Sequence, residues 1–411
     1  MKKSAYVALL VGVSLLLTAC GATLPPPSWP GIAVSDEVVF LSSGAKIYAL
    51  DVTSGAEIWS WPPAKNNNNL APVFYGQPAI VSDTVLASAE ITMNSHRGAI
   101  YAFDAASGAQ RWCVIFINEP DLIEATGCQP VGHAPRGGIV LPLVGKVFSP
   151  SDDSRIFGGI TVTNAVAYVG LASGKVYALD VKGGEEQWAQ PFTLAQGGIW
   201  ASPVVADDML YVTSLDHHLY ALERTTGTLR WKTDLGAAAG GAPTIAEGKL
   251  YVTTFATELH ALDAREGKKL WTFTPPERRW FWDGPAVAQG TLYVTDLGGH
   301  VYALNADSGE LLWEFVAPAA DDNTLRSAPV VSEDTVYVGG RNGTLFALNT
   351  EDGSRRWSQS IRAGGRNTGQ LLSSPVIISD TVLVAPYQSH ILLHAYNTAG
   401  AELWSFPANN Q

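Results

Sequence analysis

The chain is short of cysteine, of charge and of long apolar runs. Three cysteines in 411 residues leave neither an adjacent pair nor a CxxC, which removes the usual thiol redox and cysteine-zinc motifs. HExxH, GxSxG and GxxxxGK[ST] are also missing, and with them the common metalloprotease, hydrolase and phosphate-loop chemistries. Charged residues make up only 16% of the chain, and 26 Lys and Arg face 38 Asp and Glu, a net charge of −12. That balance argues against nucleic acid or anionic lipid as electrostatic partners. No helix-period pattern and no charged block runs through the body of the chain. The longest apolar run, 5–17, is too short to span a bilayer comfortably.

What the chain does have is a repeat. Twelve residues that open on Tyr302 and close on Trp313 return along its length, ending at Trp59, Trp112, Trp188, Trp231, Trp271, Trp313, Trp357 and, one residue shorter, Trp404. Upstream of each copy stand a Pro, a short apolar run, a polar turn and an alternating Val/Tyr/Thr segment. Such short alternating runs split by Gly, Asp and Asn are strands and hairpins. One unit therefore reads as four strands, over 243–246, 249–255, 258–263 and 268–274. Most tryptophans recur about every 40–47 residues, the period of a propeller blade. A single blade cannot cover both of its apolar faces, so the units must stack, with the eight recurring tryptophans between them as structural docking groups. The expected fold is all-β: an eight-bladed β-propeller of four-stranded antiparallel blades. Whether the ring closes by mixing the two termini in one blade stays open, since 34–41 and 403–406 would allow it.

The pattern Ala-x-Asp-x-x-x-Gly-x-x-x-Trp, as at Ala49, Asp51, Gly55 and Trp59 and again at Ala261, Asp263, Gly267 and Trp271, resembles the tryptophan-docking motif of PQQ-like β-propeller repeats. Such repeats occur in quinoprotein dehydrogenases and in BamB-type outer-membrane assembly lipoproteins. The resemblance runs from about Trp29 to Ser405. A dehydrogenase of this kind implies an adjacent Cys-Cys pair over the quinone and a calcium site. This chain has no such pair, so no enzyme, metal or cofactor is expected, PQQ included. The resemblance to BamB-type proteins implies a non-catalytic, lipid-anchored extracytoplasmic scaffold that binds an envelope protein, for instance a β-barrel assembly component. A PQQ-dependent dehydrogenase-like protein, or a propeller that binds a small ligand or glycan, is the alternative.

Taken in order, residues 1–19 read as a leader, with Lys2 and Lys3 before the apolar run. It ends in Leu17-Thr18-Ala19-Cys20, which resembles a bacterial lipobox and implies lipidation of Cys20; a plain secretion signal with an incidental cysteine is the other reading. Gly21 rather than Asp follows, which favours an outer membrane in a host that has one. Residues 20–30 form a Pro-rich tether. The propeller, expected as a monomer, occupies 31–411, with a polar insertion after Trp59 and a larger one around 113–155. The second insertion holds Cys113 and Cys128, the only thiols left once Cys20 is lipidated. In an oxidising compartment they would form a disulfide, the alternative being two buried thiols. It also carries His133, Arg136, Gly137 and Gly138.

The position three residues before the Pro of each inner strand reads Tyr75, Trp200, Gly240, Trp282, Arg326 and Leu372, with Phe157 as the equivalent in the third unit. Loops into the inner strands converge on one face of a propeller. Tyr75, Phe157, Trp200, Trp282 and Arg326 are therefore expected to ring one mouth of the channel and to bind the partner. Arg278 and Arg279, in the aromatic-basic run 278–283, are expected beside them. A packed plug made of the same rings is the alternative. His217 and His218 fall in a hairpin turn and read as turn chemistry rather than metal ligands, and His260 and His394 as half-buried packing residues. Arg362 and Arg366, flanking Gly364 and Gly365, read as a solvated loop, with an anion site as the alternative.

Overall fold

A computed structural model describes residues 29–62, 72–92, 96–116, 128–130, 153–194, 196–277, 279–318, 324–361 and 369–408. The leader, Cys20, most of the tether, the polar insertion after Pro62, His133, Arg136, Gly137, Gly138, Arg278 and the loop with Arg362, Gly364, Gly365 and Arg366 lie outside the described residues.

Among the described residues thirty-four strands form eight sheets, seven of them four-stranded meanders of consecutive strands. Numbered in chain order, blade one runs from strand Gly31–Ser35 to Glu57–Trp61, and blade eight from Val376–Ile378 to Glu402–Phe406. Blade five consists of Thr244–Ala246, Lys249–Thr253, Leu259–Asp263 and Lys269–Phe273, within two residues of the expected bounds. The eight short inner strands touch one another in sequence and, through the pair 31–35 and 376–378, close the ring around the channel. Each terminus therefore keeps its own complete blade. The ring closes by stacking blade eight on blade one, and the termini do not mix in one sheet.

Each position of the repeat has a structural reason. Ala261 lies across the sheet from Trp271, as Ala303 does from Trp313, so the indole has room on its own blade. The Asp263 carboxylate accepts the amides of Arg265 and Glu266 at 2.9 and 2.8 Å and fixes the turn. Gly267, at φ +70°, sits against the preceding blade: a Cβ there would lie 2.5 Å from the Trp231 ring. This glycine is required twice, for its left-handed backbone and for the bare surface that receives an indole. The Trp nitrogen then donates to a carbonyl oxygen in the next blade's turn, as from Trp59 to Ala105 at 2.9 Å and from Trp313 to Thr350 at 2.8 Å. At the seam, Trp404 donates to Val52 at 3.0 Å and its ring covers Gly55. Trp231 departs from the rule: its ring is in place and Tyr211 bonds the equivalent carbonyl oxygen, that of Ala264, yet the indole nitrogen has no partner, although Trp188 and Trp271 each share such an oxygen with a tyrosine.

Blade two differs from the expected four strands. Its central hairpin, Thr84–Thr92 with His96–Asp104, is long enough to pair with both Val73–Phe74 and Ala79–Val81, and Gln129–Pro130 adds a parallel sixth strand beside Gln110–Ile115. Cys113 and Cys128 are disulfide-bonded with their Cα atoms 4.8 Å apart, which pins that added strand. His260 and His394 are more deeply placed than half-buried, at 2% and 6% exposure. His260 bonds Thr272 Oγ1 at 2.9 Å and the Leu235 carbonyl oxygen at 3.1 Å.

Candidate functional site

Two loops from each blade meet at one mouth of the channel: the segment entering the inner strand and the turn between the second and third strands. They are tied together by backbone bonds. The amides of Ala172, Leu215, Phe255, Leu297 and Arg341 donate to the carbonyl oxygens of Arg155, Gly198, Ala238, Trp280 and Thr324. Threonine hydroxyls latch three entering segments to the blade before: Thr213 Oγ1 donates to Gly241, Thr253 Oγ1 to Asp283 and Thr295 Oγ1 to Ser327, at 2.8–2.9 Å. The mouth is thus held largely by main-chain geometry, while its side chains vary from blade to blade.

These loops enclose a cavity of about 370 Å³, within the usual range for ligand and anchor-residue pockets. Phe157, Trp200, Trp282 and Arg326 line it, together with Gly240 and Leu372. The rings are arranged in two groups. On one side Phe157 meets Trp200 edge-on at 5.7 Å, and the Arg155 guanidinium lies over Phe157 at 4.9 Å. On the other side Trp280, Phe255, Trp282 and Arg326 form a continuous stack. Its successive separations are 5.8, 6.0 and 4.9 Å. Trp280 at its outer end is 54% exposed and Trp200 39%, so indole surface faces solvent instead of plugging the channel. Between the two groups the Phe255 ring packs directly on Gly240, where a Cβ would strike it at 2.5 Å. Asp283 lies at the foot of the stack. It accepts the amides of Gly284 and Ala328 at 2.7 and 3.2 Å, yet enclosure lifts its carboxyl above the usual carboxylate range.

Tyr75 is not part of this wall. It is 2% exposed, near Glu90 and Arg155, and its hydroxyl is held well above the ordinary phenol pKa, first by burial and then by the Glu90 charge. Its backbone explains the turn inward: Tyr75 N–H and carbonyl oxygen both engage Ser88 of the long hairpin, at 3.4 and 2.8 Å. Arg279 is exposed beside the cavity, its stem against Gly298. His217 and His218 belong to the mouth turn of blade four, where His218 Nδ1 meets the Asp216 carbonyl oxygen at 2.8 Å. Sequence reasoning missed Trp29, Arg155 and Phe255, and named Trp280 only as part of the aromatic-basic run 278–283. Trp29 precedes the first repeat and has no counterpart to align. Phe255 did leave a signal, as an aromatic in a turn where neighbouring blades carry Leu215 and Leu297.

The profile of the family described as "Outer membrane protein assembly factor BamB" matches residues 24–141, 96–238, 172–278 and 215–410. The chain is 27% identical over 183 residues to the protein of that name from Moranella endobia, a stretch that is 44% of this chain and 38% of the relative. In the curated relatives the matched stretch covers between 38% and 56% of the relative's length, so the chain spans about half of each or less. A crystal structure of BamB from Moraxella catarrhalis superposes with a TM-score of 0.62 at 18% identity, over 89% of this chain and 92% of that one. A quinohemoprotein alcohol dehydrogenase from Pseudomonas putida HK5 gives 0.63 at 14% identity, over 88% and 72%. At such identities the structural likeness is one of fold alone.

Proposed function

Because the chain belongs to the family of the outer membrane protein assembly factor BamB, with matches that together run from residue 24 to 410, we propose that it is a non-catalytic extracytoplasmic scaffold. It binds an envelope protein, a β-barrel assembly component being the leading candidate, through the loops of the aromatic mouth. Lipidated Cys20 holds it to a membrane, the outer one where the host has two. The observation that carries the reading is the stack of Trp280, Phe255, Trp282 and Arg326, open to solvent at one end and to a cavity at the other. Tryptophan and arginine in pockets dominate binding energy at protein interfaces, and here they stand on loops tied together by main-chain bonds. No cofactor takes part in the proposal. Cys113 and Cys128 bond to each other in blade two.

The test is in-cell crosslinking followed by capture of the tagged lipoprotein, wild type against a Trp282→Ala/Arg326→Ala double variant. A β-barrel assembly component should be retained by wild type and lost from the variant, while the circular dichroism melting curve stays cooperative. Equal retention by both proteins removes the mouth as the binding surface. A second reading, a glycan or other small ligand stacked in the mouth, is favoured by the cavity volume and by the exposed face of Trp200. Saturable quenching of tryptophan fluorescence by oligosaccharides would favour it.

A further inference from the structure

The chain enters the propeller through the same mouth. Trp29 and Pro30 form part of the cavity wall, and the Gly76 amide donates to the Trp29 carbonyl oxygen at 3.1 Å. The point where the N-terminal segment leaves the fold is therefore fixed at the rim. Cys20 lies nine residues earlier, counting from 20 to 29. A trans-linked chain gains at most about 3.6 Å per residue, so this stretch cannot exceed about 32 Å. Pro25, Pro26 and Pro27 favour a spacing nearer 3.1 Å per residue, or about 28 Å in all.

We propose that the mouth faces the membrane that carries the lipid of Cys20, its rim within about 30 Å of the bilayer surface, and that its partner is a protruding polypeptide segment that reaches it from the membrane side. This rests on the lipid-anchored scaffold reading. The bound follows from covalent geometry alone: however the propeller swings, the point it swings about is the mouth. The opposite face lies one blade height further off, about 17–20 Å for strands of five or six residues. Concavity selects the occupant. A cavity walled by Trp29, Phe157, Trp200 and Trp282 takes a protruding side chain or loop, whereas a flat bilayer would touch only its rim. The chain's net charge of −12 also opposes close approach to anionic headgroups.

The test uses the full mature lipoprotein in nanodiscs of phosphatidylethanolamine and phosphatidylglycerol with an energy-transfer acceptor on the headgroups. Donor dye is placed on Ser374→Cys, in the cavity wall, or on Glu266→Cys, an exposed turn residue of the opposite face. Cys113 and Cys128 are tied to each other and Cys20 is blocked by lipid, so only the introduced thiol reacts. Mass spectrometry checks the lipid first. With lipid present, transfer should be severalfold stronger from Ser374→Cys. Equal or reversed transfer in a lipidated sample overturns the orientation and leaves the anchor and the scaffold reading standing. A chain without lipid overturns the anchor, and the orientation with it. A mouth dye quenched by spin labels placed within the acyl region shows the mouth docked on lipid and overturns the polypeptide partner.

Discussion

Gly309→Ala and Gly290→Ala separate the two demands that the repeat places on glycine. Both residues have nearly the same left-handed backbone, φ +73° and +75°. They differ in what a new methyl group would meet. At Gly290 nothing lies within 4 Å, whereas at Gly309 the Cβ would stand 2.6 Å from Cε3 and 2.8 Å from Cδ2 of Trp271. The backbone cost of an alanine in this conformation is about 1–2 kcal/mol, partly offset by about 0.4–1 kcal/mol from a less flexible unfolded chain. Gly290→Ala should therefore lose about 1 kcal/mol. Gly309→Ala carries the same term plus overpacking of a rigid ring, about 1–3 kcal/mol more. The assay is urea unfolding followed by far-ultraviolet circular dichroism, comparing midpoints at a shared slope. The difference between the two variants should shrink when Trp271 is first replaced by Leu, because the coupling is between that ring and that methyl group. Equal losses from both glycines, or a gap indifferent to Trp271→Leu, would refute the claim that the motif glycine is a docking surface as well as a turn.

Three further outcomes are expected. Trp404→Ala should cost about 3–5 kcal/mol and should make limited proteolysis begin at the seam between blades eight and one, where Trp404 bonds Val52 and covers Gly55; cleavage spread evenly over the blades would contradict this. Reduction of the Cys113–Cys128 bond, which closes a separation of 15 residues, should lower stability by about 3 kcal/mol in urea titrations with and without reductant; overlapping titration curves would count against it. Burial is the leading cause that lowers the pKa of both His260 and His394 below the ordinary value of 6.5. Above that value both rings are neutral in either state and stability is flat. As pH falls below it the unfolded chain takes up protons that the native rings resist, so stability should decline from about pH 6.5 downward. His260→Gln should flatten that decline between pH 7.5 and 5, and an unchanged slope would assign it to other groups.

The repeat made the blades legible because period, turn chemistry and strand alternation agree in most units. The mouth was legible for the same reason: once units are aligned, one slot before each inner strand must face the channel, and Phe157, Trp200, Trp282 and Arg326 occupy it. Tyr75 occupies the same slot and fails, because blade two has a hairpin nine residues long on each side that folds over the slot and binds its backbone. An alignment of units carries no information about an insertion that only one unit has. Closure was hidden for a different reason. A ring with mixed termini and a ring of eight self-contained blades have the same residue pattern, and they differ only in where the first strand begins. The strand Gly31–Ser35, paired with Val38–Ser43 in its own blade, settles the question.

The repeats also contain an argument about function that needs no second sequence. Where all blades must stack, their residues agree: a small residue opposite an indole, a carboxylate or amide in the turn, a glycine against the neighbouring ring. Where the loops converge on the mouth, the blades differ sharply, with Phe157, Trp200, Gly240, Trp282, Arg326 and Leu372 in successive units. The bonds that hold the loops run through amides, carbonyl oxygens and threonine hydroxyls outside the slot, so they do not dictate which side chain fills it. A propeller under stacking constraints alone would let small polar residues fill such slots, because large rings left in solvent cost hydrophobic free energy. Two exposed indoles, two arginine–aromatic stacks and a bare backbone under Phe255 at Gly240 make the face asymmetric, which is what the proposed binding of one partner in one orientation calls for.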